Sequence, residues 1–259
     1  MRFLAEILGN VGIGAQQALA LALLLPFFPL LLLIRRRIRE RGRPPLRAIS
    51  GYAALQEYLG QSAESGQAAH VSMGTGGIGT TVTAESLAGL TVLEHVAEHS
   101  EATGLKTIAT VSDPSLFPAA LDVMRQAYEA RGYALAFDPT SVRFISPNRA
   151  AYAAGVMDIL AHAGVGCSLM VGNFGDEFLL MAEVGGRNEV RQVGGTTSAL
   201  ILPFVYASVD ETLLGEEIFA AGAYLRQRAS HLASLAAQDW LRTGIILAIV
   251  VGAVLRSLI

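Results

Sequence analysis

Residues 69–79 read AHVSMGTGGIG. The first five form a β-rich run, and Gly74-Thr75-Gly76-Gly77-Ile78-Gly79 closes it with the spacing GxGxxG. A strand that stops in glycines and leads into a helix is the opening of a βαβ unit. The helix is expected over 84–102 (AESLAGLTVLEHVAEHSEA), and a second strand over 106–111 (KTIATV).

The same alternation continues downstream. Residues 114–131 read as a helix with Pro114 near its start, 142–146 (VRFIS) as a third strand, and 149–163 as a helix. Residues 167–171 (CSLMV) read as a fourth strand, 176–184 as a helix, and 189–193 (EVRQV) as a shorter fifth strand. A short helix over 49–59 precedes the first strand, and 198–225 reads as mostly helical. Short β-rich runs alternating with helices predict an α/β fold. The expectation is a Rossmann-like domain over 48–228, with a parallel sheet of about five strands, flanking helices and right-handed crossovers.

The ends of the chain have a different composition. Residues 18–34 (ALALALLLPFFPLLLLI) are uncharged, and counted from Val11 the uncharged stretch is 24 residues. At ~1.5 Å per residue that length crosses a ~30 Å hydrocarbon core. Pro26 and Pro29 each remove a backbone donor and are expected to kink the helix. Residues 35–47 then carry seven Arg and one Glu, whereas 48–239 carry 20 acidic and nine basic residues. Basic flanks stay in the cytoplasm. The expectation is an N-terminal transmembrane helix over 11–34, then a basic juxtamembrane linker over 35–47 that faces anionic headgroups. The α/β domain then faces the cytoplasm from the inner (cytoplasmic) membrane.

A cleavable signal peptide fits poorly. Only Arg2 and Glu6 precede the apolar run, and no A-x-A site follows it. At the other end, residues 229–259 read as a helix that enters or spans the membrane, with Trp240 and Arg242 at the interface. The acidic body argues against a nucleic-acid partner, which needs clustered Lys and Arg. The single Cys167 allows no internal disulfide and agrees with a reducing compartment.

In an open parallel sheet, ligands bind where strands end. The candidate ligand residues are therefore Gly74, Thr75, Gly76, Gly77, Gly79 and Thr80 of the glycine loop, Asp113 after the second strand, and Asn173 after the fourth. The glycines permit backbone approach to a phosphate, and the helix start offers free N–H groups. Two features depart from a dinucleotide site: the loop is long, and Asp113 lies 34 residues past Gly79 rather than about 20. The competing reading is turn and cap chemistry, with Asp113 and Asn148 as helix caps. His95, Glu98 and His99 match HxxEH, a zinc-enzyme spacing, but Glu94, Glu98 and Glu101 make that side a solvated helix face. Cys167 reads as a core residue. Asp158, in an apolar helix, is a candidate for facing a partner.

The phrases HVSMGTGGIG, VSDPSLFPAALDVMRQAYEARG, AYAAGVMDILAHAGVGCSLMVGNFGDEFLLMAE and HLASLAAQDWLR, taken in order, resemble a family of uncharacterised prokaryotic membrane proteins, a domain of unknown function. The resemblance covers most of residues 44–255. It implies an N-terminal anchor and a C-terminal apolar helix, and brings no activity, cofactor or catalytic residue. The expected function is a non-enzymatic, homo-oligomeric assembly or scaffold protein, with the lipid bilayer and further copies of itself as partners. The alternative is a sensor or enzyme that binds a nucleotide-like or other small anionic ligand at the 74–79 loop. No cofactor is assigned.

Overall fold

The computed structural model describes residues 15–41, 46–130, 132, 137–226 and 229–258. The chain divides into two units, Leu46–Arg226 and the paired terminal segments Met1–Pro45 and Gln227–Ile259.

The Leu46–Arg226 unit is built on six parallel strands: β1 (Ala68–Gly74), β2 (Thr107–Val111), β3 (Val142–Phe144), β4 (Val165–Asn173), β5 (Arg191–Thr196) and β6 (Glu211–Leu214). Their order across the sheet is β3-β2-β1-β4-β5-β6. That is the 3-2-1-4-5-6 order of a doubly wound sheet, whose direction of winding reverses between β1 and β4. Every residue of β1 and β2 is buried, as a central parallel strand requires when helices cover both faces.

The helices of this unit, numbered after α1 (Ala15–Arg41) in the terminal unit, are α2 (Ser50–Ser65), α3 (Thr83–Thr103), α4 (Leu116–Glu129), α5 (Arg149–His162), α6 (Glu177–Arg187), α7 (Leu202–Ser208) and the single turn α8 (Ala221–Tyr224). Helix α3 packs on α2, α4, β1 and β4, and α6 packs on α5, α7 and β5. The largest side chains closed off from solvent include Leu93, Ile108, Leu116, Tyr152, Leu160, Leu169 and Phe178. Burial of each such side chain contributes about 1.5–3 kcal/mol.

The sheet differs from the sequence expectation in one strand. Residues 211–214 form β6 inside the stretch read as helical, so the sheet has six strands rather than about five. Four residues are too few to display a period of two, and β6 forms because β5 offers an open edge to pair with. The fifth strand is also shifted. Glu189 takes a left-handed turn (φ 57°), so the strand begins at Arg191 and runs to Thr196.

In the terminal unit, α1 continues without a break through Pro26 and Pro29 and into the Arg-rich stretch as far as Arg41. Residues 11–14 of the expected span and 42–45 of the expected linker lie outside the described residues. Helix α9 (Ala229–Leu258) is 30 residues long and packs on α1. Among the described residues, Ala229–Val254 is the one helical stretch long and apolar enough to cross a membrane. Its most apolar part is almost wholly unburied within the protein.

Candidate functional site at the reversal point of the sheet

The ends of β1 and β4 meet where the winding reverses. Gly74 pairs with Asn173, and the Thr75 amide donates to the Asn173 carbonyl oxygen at 2.8 Å. Only glycine serves at 74, because φ is +75° and an added Cβ would stand 2.0 Å from that oxygen. The loop then folds down onto its neighbours. A Cβ at Gly76 would lie 2.7 Å from Ser86 Oγ, and one at Gly77 would lie 2.4 Å from the carboxyl carbon of Asp113.

Of the eight residues singled out from sequence, Gly74, Thr75 and Gly76 lie against Asn173, and Gly77 lies against Asp113. Gly79 and Thr80 turn away, with their amides donating to Thr83 Oγ1 at 2.9 and 3.0 Å. The Ile78 amide is taken by Ser115 Oγ at 2.8 Å. Asp113 accepts from the Ser115 amide at 2.8 Å, a turn contact just ahead of α4, whose N-cap position is held by Ser115. Most of the loop's donors are thus used within the protein. Among the described residues, the amides of Gly76 and Gly77 have no acceptor.

Glu177 supplies the group that sequence reasoning undervalued. It opens α6 just after β4 and is only 3% exposed. Its Oε1 accepts from the Gly175 amide at 2.8 Å and from Thr75 Oγ1 at 3.5 Å, while its buried Oε2 has no partner. Two more acids share this edge of the sheet. Asp113 stands beside Gly77, and Glu85, in the first turn of α3, accepts from Thr197 Oγ1 and keeps a second buried oxygen unpartnered.

Beneath the loop runs a buried hydrogen-bond chain. His70 Nδ1 meets Ser168 Oγ at 2.9 Å, and Nε2 meets Thr110 Oγ1 at 3.0 Å. Thr110 Oγ1 meets the Tyr152 hydroxyl at 3.0 Å, and Tyr152 meets Ser72 Oγ at 2.7 Å. Ser72 Oγ accepts from the Gly74 amide at 3.4 Å. All five side chains are fully buried. Burial, with the positive charge of Arg143 added, takes the His70 pKa down to about 3, so the imidazole is neutral and donates through one nitrogen only. Burial pushes the Tyr152 hydroxyl up to about 12. The chain ties β4, β1, β2 and α5 together under the residue that launches the glycine loop. Its sequence signal was the alternation in AHVSMG, which puts His70, Ser72 and Gly74 on one face.

The other sequence candidates fall elsewhere. Glu98 of the HxxEH match pairs with Arg226, as does Glu94, and the Arg226 side chain is 8% exposed. Burial lowers the pKa of His95 and of His99. Among the described residues, no group of three His, Cys, Asp or Glu is arranged to hold a metal ion. Cys167 lies buried in β4 with its thiol pushed up to about 11 by burial. Asp158 is exposed and bonds His162 Nδ1 at 3.0 Å on the open face of α5.

Residues 13–259 match the family described as Domain of unknown function (DUF6754), and the chain belongs to that family. No curated protein and no solved structure matches the chain.

Proposed function

We propose that this DUF6754 chain is a membrane-anchored, homo-oligomeric assembly protein whose α/β unit faces the cytoplasm. The observation that carries the assembly reading is the apolar surface of α6, α7 and the loop before α7. Leu180 and Phe204 stand 53% and 45% exposed on two helices that pack against each other, with Leu200 at 78% and Tyr206 at 71%. Exposed apolar side chains on adjoining elements offer a surface that a second molecule can cover. A second copy is the occupant this reading assigns. Copies tethered to one bilayer present the same surface at high effective concentration, and a twofold axis lets that surface pair with itself.

Anchoring is supported by the apolar exterior of the terminal helices. Ile246, Leu247, Ile249 and Val250 of α9 are more than half exposed, as are Leu25, Phe28, Leu32 and Leu33 of α1. The Arg-rich 35–47 segment supports the cytoplasmic orientation. Protease added to right-side-out vesicles is expected to spare 48–239, and digestion of that region from outside overturns the orientation. For assembly, the full chain in nanodiscs is expected to contain more than one copy, and Leu200→Asp with Phe204→Asp to reduce that number.

A second reading, a small anionic ligand on the 74–79 loop, draws on the acceptor-free Gly76 and Gly77 amides. Asp113 beside Gly77 and Glu177 beside Thr75 both work against an anion there.

A further inference from the structure

A cavity of about 560 Å³ lies at the edge of the sheet opposite the glycine loop, where β5 and β6 begin. Its wall is formed by the turn after α6 (Gly186, Glu189), the start of β5 (Arg191, Gln192), and the chain from the end of α7 to β6 (Ser208, Asp210). A space of that size suits a small organic molecule rather than a bare ion. Among the described residues, no group of three His, Cys, Asp or Glu is arranged to hold a metal.

The charge around this cavity is lopsided. Arg191 is the one cation of its wall, and it is already engaged. Its Nη1 bonds Asp210 at 3.2 Å, and its guanidinium lies 5.6 Å from the centroid of the Tyr58 ring. Glu189 is exposed, and among the described residues its carboxylate forms no ion pair. Behind it stands Gln192, 2% exposed, whose Oε1 has no hydrogen-bond partner and adds negative partial charge to the wall. Helices α6 and α7 both end at the cavity, and helix C-termini favour positive charge. Glu189 is also the one described non-glycine residue in the left-handed region, with φ at 57°. Glycine would take that conformation freely, whereas any side chain there is strained. Strain held at the rim of a cavity points to a task for the side chain.

We propose that this cavity binds a small organic cation bearing a primary ammonium group, held by the carboxylates of Glu189 and Asp210. An ammonium brings three donors to these acceptors in charge-assisted hydrogen bonds. An anion would face two carboxylates and a guanidinium that is already paired. The inference is independent of the assembly reading, because the cavity lies within one copy of the chain.

The test uses the full chain in detergent, with putrescine and butylamine as probes. Tetramethylammonium, which has the charge without N–H donors, and succinate are the controls at matched ionic strength. The thermal midpoint is expected to rise by about 4 °C with a probe amine at tenfold its dissociation constant, and to stay unchanged with the controls. Glu189→Gln is expected to weaken the amine about tenfold. Glu189→Gly is expected to raise the midpoint of the free protein by relieving the strain, and to lose the response to amine. Arg191→Gln removes the competing positive charge and is expected to strengthen binding about threefold. The proposal is overturned if neither amine raises the midpoint, or if either control raises it equally. It is also overturned if Glu189→Gln binds the amine unchanged, or if Arg191→Gln weakens binding. Subunit number, read on the same samples, separates this result from the fate of the assembly reading.

Discussion

The Tyr224 hydroxyl donates a hydrogen bond of 2.5 Å to the carbonyl oxygen of Arg47, closing the two ends of the α/β unit on each other. The Tyr224 ring also stacks on Tyr52, with centroids 5.2 Å apart and planes at 18°. Tyr52 in turn donates to the Glu217 carbonyl at 2.6 Å. The places where the chain enters and leaves the unit are therefore neighbours, although all six strands are laid down between them.

The clasp has separable parts. Tyr224→Phe keeps the stack and loses the hydrogen bond, and is expected to lower stability by about 1 kcal/mol. Tyr224→Ala loses both and is expected to cost about 3 kcal/mol. Urea unfolding of the full chain in detergent distinguishes the two. Equal losses would show that the ring stack contributes nothing, and no loss in Tyr224→Phe would show that the hydrogen bond to Arg47 contributes nothing.

Glycines 77 and 79 make a matched pair of probes. A Cβ at Gly77 would meet the Asp113 carboxyl at 2.4 Å, whereas Gly79 has open space around it and a φ of +87°. Gly77→Ala is expected to cost about 1–3 kcal/mol through crowding, and Gly79→Ala about 1 kcal/mol through backbone strain. Adding Asp113→Ala should relieve the first and leave the second unchanged. A double-mutant cycle between 77 and 113 with no coupling would refute the contact.

His70 makes stability depend on pH with a definite sign. Its folded pKa is near 3, against 6.5 for an unhindered histidine, so the unfolded chain binds the extra proton between those values. Its contribution is complete above pH 6.5 and is lost as pH falls toward 3, at no more than about 1.4 kcal/mol per pH unit. Chemical unfolding at pH 7.5, 6 and 5 checks this against His70→Asn, which should show a shallower decline. Parallel declines in the two proteins would place the pH dependence elsewhere.

Tyr152→Phe removes the hydroxyl that joins Thr110 to Ser72 and leaves both without that partner. The expected loss is about 1–3 kcal/mol. Hydrogen exchange should speed up at the Gly74 amide, whose acceptor is Ser72 Oγ. Unchanged protection at Gly74 would show that the buried chain does not steady the loop.

The strands and helices that follow the glycine stretch were legible because central parallel strands are short apolar runs and their helices carry plain start signals, such as Asn148 ahead of α5. Strand β6 was hidden because Glu211–Leu214 forms at an edge by pairing, which no local pattern in four residues reveals. At the site, the glycines and Asn173 were visible from their position at strand ends. The nearness of Asp113 to Gly77 was expected only as a shared edge; the contact itself depends on how the loop folds back. Glu177 reads in sequence as a polar residue at a helix start, and only packing makes it a buried carboxylate with an unpartnered oxygen. The hydrogen-bond chain from Ser168 to Ser72 joins residues from four elements; only His70 and Ser72, two apart on β1, shared a local signal, and Ser168, Thr110 and Tyr152 meet them only in the fold.

Copies of this chain are proposed to assemble on a membrane through the α6–α7 surface. The most direct measurement is the native mass of the full chain in lipid nanodiscs, for the unaltered protein and for Leu200→Asp/Phe204→Asp. Two or more copies per disc are expected for the first and a single copy for the second, with both folded. A single copy of the unaltered chain in every lipid composition would contradict it.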